Sequence, residues 1–164
     1  MSALPIDADG RFSGYASVFS KPDDSGDVVM PGAFRKSLSL RGRHRVKMLF
    51  QHDPKEPIGT WDEIAEDDYG LHVSGRLVGE VPRADALRRL IARGAVDGLS
   101  IGFRTVKASR QGPSGLRRLH EIDLWEISIV TFPMMDLARI AGKTAGRDAR
   151  LNRSLNAAIS LFRT

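Results

Sequence analysis

In the stretch AVDGLSIGFRT, residues 95–105, Ser100 stands between Gly98 and Gly102 and spells G-x-S-x-G. A serine hydroxyl becomes a nucleophile when a base takes its proton and a third group orients that base. The same spelling marks the nucleophile elbow of α/β-hydrolases, which requires a strand, a sharp turn and then a helix. Here the residues after Ser100 keep alternating. Leu99, Ile101 and Phe103 take one face, and Ser100, Gly102 and Arg104 take the other. That pattern is strand on both sides, so no elbow is expected. An elbow enzyme also needs an acid and then a histidine downstream, and the one downstream histidine, His120, is too close in sequence. What survives is a strand face on which two glycines flank one hydroxyl. Glycine inside a strand marks the close approach of a ligand or of another backbone. The face is therefore either a bared hydroxyl or a packing surface.

The chain has four histidines. His44 lies in the basic run RGRHRVK and reads as solvated. His72 points away from the Leu71 and Val73 face and reads as exposed. His52 ends the apolar strand VKMLFQH, just before Asp53-Pro54 turns the chain, so its imidazole can face a cleft while the strand holds its backbone. Glu126 is enclosed in DLWEISIV by Trp125, Ile127, Ile129 and Val130. Burying a carboxylate in such a run is costly without a partner. Alternation puts Glu126 on a face with Leu124 and Ser128. There it either orients an imidazole, as the acid of a triad does, or faces solvent on a half-exposed strand.

These residues need strands to hold them. FSGYASVF (12–19) reads as a strand, and SKPDDSGDVVMPG (20–32) as a loop with a short extended piece at Val28-Val29. AFRKSLS (33–39) reads as a short helix and RVKMLFQ (45–51) as a strand ended by Asp53-Pro54. Residues 58–66 and 70–78 flank Asp67-Asp68-Tyr69 as a hairpin. PRADALRRLIARG (82–94) is the clearest helix, with Pro82 in its first turn, Leu87, Leu90 and Ile91 on one stripe and Gly94 as its stop. After the Ser100 strand, a turn at 110–115 leads into the longest strand candidate, 116–132, which Pro133 ends. From about residue 142 the chain is rich in Gly, Ala and Arg. Leu151, Leu155, Ala158, Ile159 and Phe162 form one helical stripe there. The sum is mainly β with one or two packed helices, antiparallel or barrel-like.

Composition bounds the rest. A chain of 164 residues favours one domain, and 41% hydrophobic residues suffice for a core. The absence of cysteine excludes disulfides, thiolate chemistry and cysteine zinc sites, and suits a reducing compartment. No basic start followed by an apolar run opens the sequence, and no apolar run nears the roughly 20 residues of a membrane span. A cytoplasmic protein with no membrane partner is expected. The net charge of +5 permits acidic partners. The basic residues are dispersed, however, and no aromatic-interleaved basic strand occurs, so specific nucleic-acid recognition is not expected.

With FQHDP, DGLSIGFR and LWEISIVTFP in this order and spacing, the chain resembles the tailed-phage prohead proteases, capsid-maturation serine proteases related to herpesvirus assemblin. The resemblance runs from Phe12 to Ile140 and includes GYASVF, DVVMPGAF and MLFQHDPKEPIG. It departs at Pro133-Met134-Met135-Asp136, where a smaller residue and an Asn after the proline are expected. The resemblance implies an assemblin-like β-barrel surrounded by a few helices, over residues 1–141. A C-terminal amphipathic helix or removable tail follows over 142–164. It implies Ser100 as nucleophile and His52 as general base, with no metal or other cofactor. The third member is Glu126, in the matching block. His120 is its rival, and at about 3.3 Å per residue the two lie roughly 20 Å apart, so only one reaches the imidazole. The implied substrates are the scaffold region of the major capsid protein and the chain itself, inside the procapsid in the bacterial host cytoplasm, and a second copy of the chain, as a homo-oligomer, is among the implied partners. A non-catalytic capsid assembly or scaffold protein on the same fold is the alternative, and the intact His52, Ser100 and Glu126 argue against it. A basic nucleic-acid-binding module rests on charge alone.

Overall fold

The computed structural model describes residues 4–113 and 115–141. The tail expected over 142–164 lies outside them. Among the described residues, eight strands form one curled sheet. They are β1 (Arg11–Val18), β2 (Asp27–Val29), β3 (Lys47–Phe50), β4 (Asp53–Glu66), β5 (Gly70–Leu77), β6 (Gly98–Arg110), β7 (Arg117–Val130) and β8 (Ile140–Ala141). Among the described residues two α-helices accompany them, α1 (Arg35–Arg41) and α2 (Pro82–Ala92), with a short 3-10 turn at Arg43–Arg45. The strand order is β2-β7-β3-β4-β5-β1-β8, with β6 pairing along β7. The expected β-rich class with few helices holds.

Strand β7 organises the barrel. It runs parallel to β2 and β3 and antiparallel to β6. Its side chains that fill the core are Leu119, Ile122, Leu124, Ile127 and Ile129, each at most 1% exposed. Their spacing is three, two, three, two rather than a uniform two. Each step of three is a bulge: opposite β6, His120 and Trp125 have no cross-strand partner. A bulge rotates everything beyond it onto the opposite face. That device keeps apolar residues inward along a strand whose sequence does not alternate cleanly.

The open side of the curl is closed by a short stitch. Ala138 and Arg139 meet the start of β6, through the Leu99 N–H to Ala138 carbonyl bond and the Gly98–Arg139 bridge. Ile140 and Ala141 pair with Gly14 and Ser13 of β1. The approach is so close that a Cβ at Gly14 would stand 2.2 Å from the Arg139 carbonyl oxygen. Only glycine admits this seam.

The helices cover what the sheet leaves open. Helix α2 starts on Pro82 and buries Ala84, Leu87 and Ile91, the expected apolar stripe except Leu90, which remains exposed. Helix α1 docks along the edge of β7, in the stretch between its pairings with β2 and β3. Ser37 Oγ accepts from the Leu124 N–H at 2.8 Å, and Arg41 grips both oxygens of Asp123 at 2.8 and 2.9 Å. Arg41 and the Trp125 indole N–H hold the Asp123 carboxyl below the usual carboxylate range.

Two expectations change. His72 is buried, not exposed, with its ring edge-on to Tyr15 at 5.3 Å. Strand β5 is covered on both faces there, so alternation no longer separates inside from outside. Strand β4 starts at Asp53 rather than near residue 58, because the chain reverses within Gln51-His52 and Asp53 pairs at once with Phe50.

Candidate active site

The reversal after β3 is the first element of the site. Phe50 pairs with Asp53, which leaves Gln51-His52 as a two-residue hairpin connection. Both have positive φ, 54° and 57°. Two consecutive left-handed residues are the signature of a type I′ turn, normally built from Asn and Gly. Gln and His cost about 1 kcal/mol or more each in that region, and such strain persists only where the surroundings enforce it. The enforcement comes from β7. The Gln51 N–H donates to the Ile129 carbonyl at 3.0 Å, Gln51 Nε2 donates to Thr131 Oγ1 at 2.8 Å, and the His52 N–H donates to Ser128 Oγ at 3.0 Å. The turn is thereby folded back over β7.

Folded back in this way, the imidazole reaches Glu126. His52 Nδ1 is hydrogen-bonded to Glu126 Oε1. The carboxylate is mostly covered, while 43% of the His52 side chain is exposed. The hydrogen bond to Glu126 holds the imidazole pKa above its ordinary value, against the opposing pull of burial. With the carboxylate accepting the Nδ1 proton, Nε2 is left as the basic nitrogen.

Glu126 gets its direction from the Trp125 bulge. Leu124 points inward and is fully buried, so Glu126 does not share its face as alternation would have it. It shares a face with Ser128, whose Oγ donates to Glu126 Oε2 at 2.7 Å. Directly opposite on β6 is Gly102. A Cβ built there would stand 2.1 Å from Glu126 Oε1. The space that Gly102 clears is therefore filled by the carboxylate. Gly98 has different occupants: a Cβ there would stand 2.7 Å from the Val130 carbonyl oxygen and 2.8 Å from the Pro133 ring. The two glycines flanking Ser100 thus admit an acid on one side and a backbone carbonyl with a proline on the other. Gly102→Ala is expected to push the carboxylate off the imidazole at a stability cost of about 1–3 kcal/mol. An NMR titration of His52 would then return toward its ordinary value; an unchanged titration would mean that the carboxylate keeps its place.

Ser100 sits opposite Ser128, on the same β6 face as Gly102, and is 8% exposed. Its hydroxyl has no hydrogen-bond partner among the described residues. The structure therefore joins His52 to Glu126 directly and brings Ser100 onto the neighbouring strand of the same ladder, without a hydrogen bond between Ser100 and the imidazole. Beside Ser100 is a cavity of about 50 Å³ lined by Ser17, Ile101, Phe103, Met134 and Met135. A larger cavity of about 710 Å³ lies between the end of β5 and α2, lined by Arg76, Glu80, Asp85 and Arg88 among others, and holds none of these three residues. His120 is exposed and bonds to Ser109 Oγ at 2.7 Å.

The segment after β7 frames the other side of Ser100. Arg139 spans it, donating to Asp97 at 2.7 Å and to the Asp136 carboxylate at 2.6 Å. Met135 is buried, and its sulfur accepts the Val18 N–H at 3.2 Å. The unexpected Pro133-Met134-Met135-Asp136 sequence is thus used: Pro133 packs on Gly98, Met135 fills the interior and Asp136 holds Arg139. Sequence reasoning passed over Ser128 and Gln51. The signal for Ser128 was present, a serine two residues from Glu126 in a strand. No sequence pattern marks Gln51, because a left-handed glutamine is not a predictable choice.

Among the described residues, no three His, Asp or Glu side chains gather as a metal site, and no helix is long and apolar enough to cross a membrane.

The sequence profile of the caudovirus prohead serine proteases matches residues 3–151. The chain is 41% identical over 134 residues to the prohead protease of Enterobacteria phage HK97, covering 80% of this chain and 59% of that protein. It spans under three-fifths of the length of this protein and of the prohead protease of Escherichia phage T5, which it also matches. Among solved structures, the capsid assembly protease of bacteriophage T4 superposes with a TM-score of 0.64 at 13% identity, covering 81% of this chain and 90% of that one. The KSHV protease, solved with a hexapeptide phosphonate inhibitor, superposes with a TM-score of 0.50 at 14% identity, over 79% and 62%. The likeness to these two fixes the fold as assemblin-like.

Proposed function

This chain belongs to the family of caudovirus prohead serine proteases, and from that premise we propose that it is a serine endopeptidase with Ser100 as nucleophile, His52 as general base and Glu126 as the orienting acid. The observation that carries the assignment is the His52–Glu126 pair standing on the β3–β7–β6 ladder, one strand from a serine whose hydroxyl has no partner among the described residues.

The steps balance as follows. His52 Nε2 takes the Ser100 proton as Oγ bonds to the scissile carbonyl carbon. Imidazolium then gives that proton to the leaving amine as the C–N bond breaks. Water, deprotonated by the same nitrogen, releases the acyl group and restores the hydroxyl. Glu126 holds the Nδ1 proton and stabilises the imidazolium throughout. Hydrogen bonds between base and nucleophile are often long before substrate binds and tighten in the complex.

The substrates proposed are the scaffold region of the major capsid protein and the chain itself, cut inside the procapsid in the host cytoplasm. Residues 142–164 suit a removable or scaffold-binding tail. The test is co-expression with the capsid subunit, as wild type and as Ser100→Ala, with intact-mass measurement of both chains. Shortening of the capsid subunit with wild type alone supports the proposal. Full-length capsid subunit with both sinks it.

A pH dependence follows from the His52–Glu126 bond. The base acts only when neutral, so cleavage is expected to fall on acidification through a pKa above the ordinary imidazole value of about 6.5. Glu126→Gln should move that limb to lower pH in the cleavage rate profile. The stability linkage has the opposite sense. A raised folded-state pKa contributes stability that is complete below the unfolded value and is lost as pH rises through the folded value.

A further inference from the structure

Ser100 and Ser128 are the two residues of one β6–β7 rung. Their hydroxyls are in opposite states. That of Ser100 has no partner among the described residues. Ser128 is fully buried, and its hydroxyl is spent: it donates its only proton to Glu126 Oε2 at 2.7 Å and accepts the His52 N–H at 3.0 Å. Resting on the assignment above, we infer that Ser128 is a positioning residue for proteolysis, fixing through one hydroxyl both the carboxylate of Glu126 and the strained backbone of His52.

A core serine needing only to be satisfied would do so with any nearby carbonyl. Ser128 instead bridges two groups from different elements, and those two groups are the ones hydrogen-bonded to each other through the imidazole. The three contacts close a ring: His52 ring to Glu126, Glu126 to Ser128, Ser128 to the His52 backbone. Each member has one position consistent with the other two. Without the hydroxyl, the His52 N–H loses its acceptor while its φ remains at 57°, and Glu126 Oε2 loses the donor that sets its rotation. The turn and the carboxylate then relax independently. The ring also explains which serine of the rung attacks. Ser128 has neither a free proton nor any exposure.

The test compares Ser128→Thr with Ser128→Val, which share a shape and differ in the hydroxyl. Two quantities are read on the full chain: the NMR titration of His52 and the rate of Ser100 labelling by a fluorophosphonate. Ser128→Val is expected to lower the His52 pKa toward its ordinary value and to slow labelling roughly a hundredfold, as displacement of a reacting group by about 1 Å does. Ser128→Thr should keep both near wild type. Equal titration and equal labelling in the two variants would overturn the inference. Should the added methyl groups prevent folding, Ser128→Ala against wild type carries the same two expectations without extra bulk. The readouts also separate the claims. A shifted His52 titration in Ser128→Val, together with a wild type that never labels at Ser100, keeps the positioning and removes the nucleophile.

Discussion

Ser100→Ala is expected to reduce proteolysis by about six orders of magnitude, and His52→Ala by about as much, while the double variant loses no more than either alone. Groups that act as a unit fail as a unit. Without the hydroxyl there is nothing to acylate, and without the imidazole nothing takes its proton. The fold should survive both changes. Among the described residues the Ser100 hydroxyl satisfies no buried group, so its removal orphans none of them. His52→Ala keeps a Cβ at a turn that Gln51, Thr131 and Ile129 still hold. Capsid-subunit mass after co-expression and fluorophosphonate labelling of the purified chain read the loss, and thermal unfolding checks the fold. A doubly substituted chain markedly worse than both singles would mean that the two residues act separately, and the shared mechanism would have to be abandoned.

Glu126→Gln comes second, with a loss of about four orders of magnitude. The amide keeps the shape of the carboxylate and its bond with Ser128 within reach. It neither stabilises an imidazolium nor enforces the tautomer that leaves Nε2 free. His120→Ala, in the same assay, should be close to neutral. Its ring is exposed, bonds only to Ser109 among the described residues, and sits on the other bulge of β7. A dead His120→Ala beside an active Glu126→Gln would hand the third role to His120.

Most elements were legible because their signals are local. The helix from Pro82, the long strand before Pro133 and the hairpin around Asp67-Asp68 depend on neighbours in sequence. Ser100, His52 and Glu126 were singled out through the order of the blocks around them, and the structure bonds His52 to Glu126 and sets Ser100 on the neighbouring strand. Their geometry was not legible. Strict alternation sets Leu124 and Glu126 on one face, and the Trp125 bulge parts them. A bulge is chosen by what packs on both sides of a strand, which a single strand's sequence does not carry. The glycines beside Ser100 were noticed for the right reason, a close approach, but the approaching atoms belong to Glu126 at Gly102 and to Val130 and Pro133 at Gly98. His72 was misplaced for a similar cause. Its ring is covered by Tyr15, its cross-strand partner on β1, which comes from 57 positions away in the chain.

The hairpin that carries His52 has a consequence in time. Gln51 and His52 take their left-handed shape from contacts with Ser128, Ile129 and Thr131, the last residues of the domain's central strand and the one just beyond it. On a ribosome His52 emerges first, then Ser100, then Glu126 with the strand end that bends His52 into place. A nascent chain that has delivered both His52 and Ser100 still lacks the contacts that compel two unfavourable backbone conformations. The proposed site is therefore the product of nearly the whole domain, and a chain cut short before β7 ends is expected to lack it.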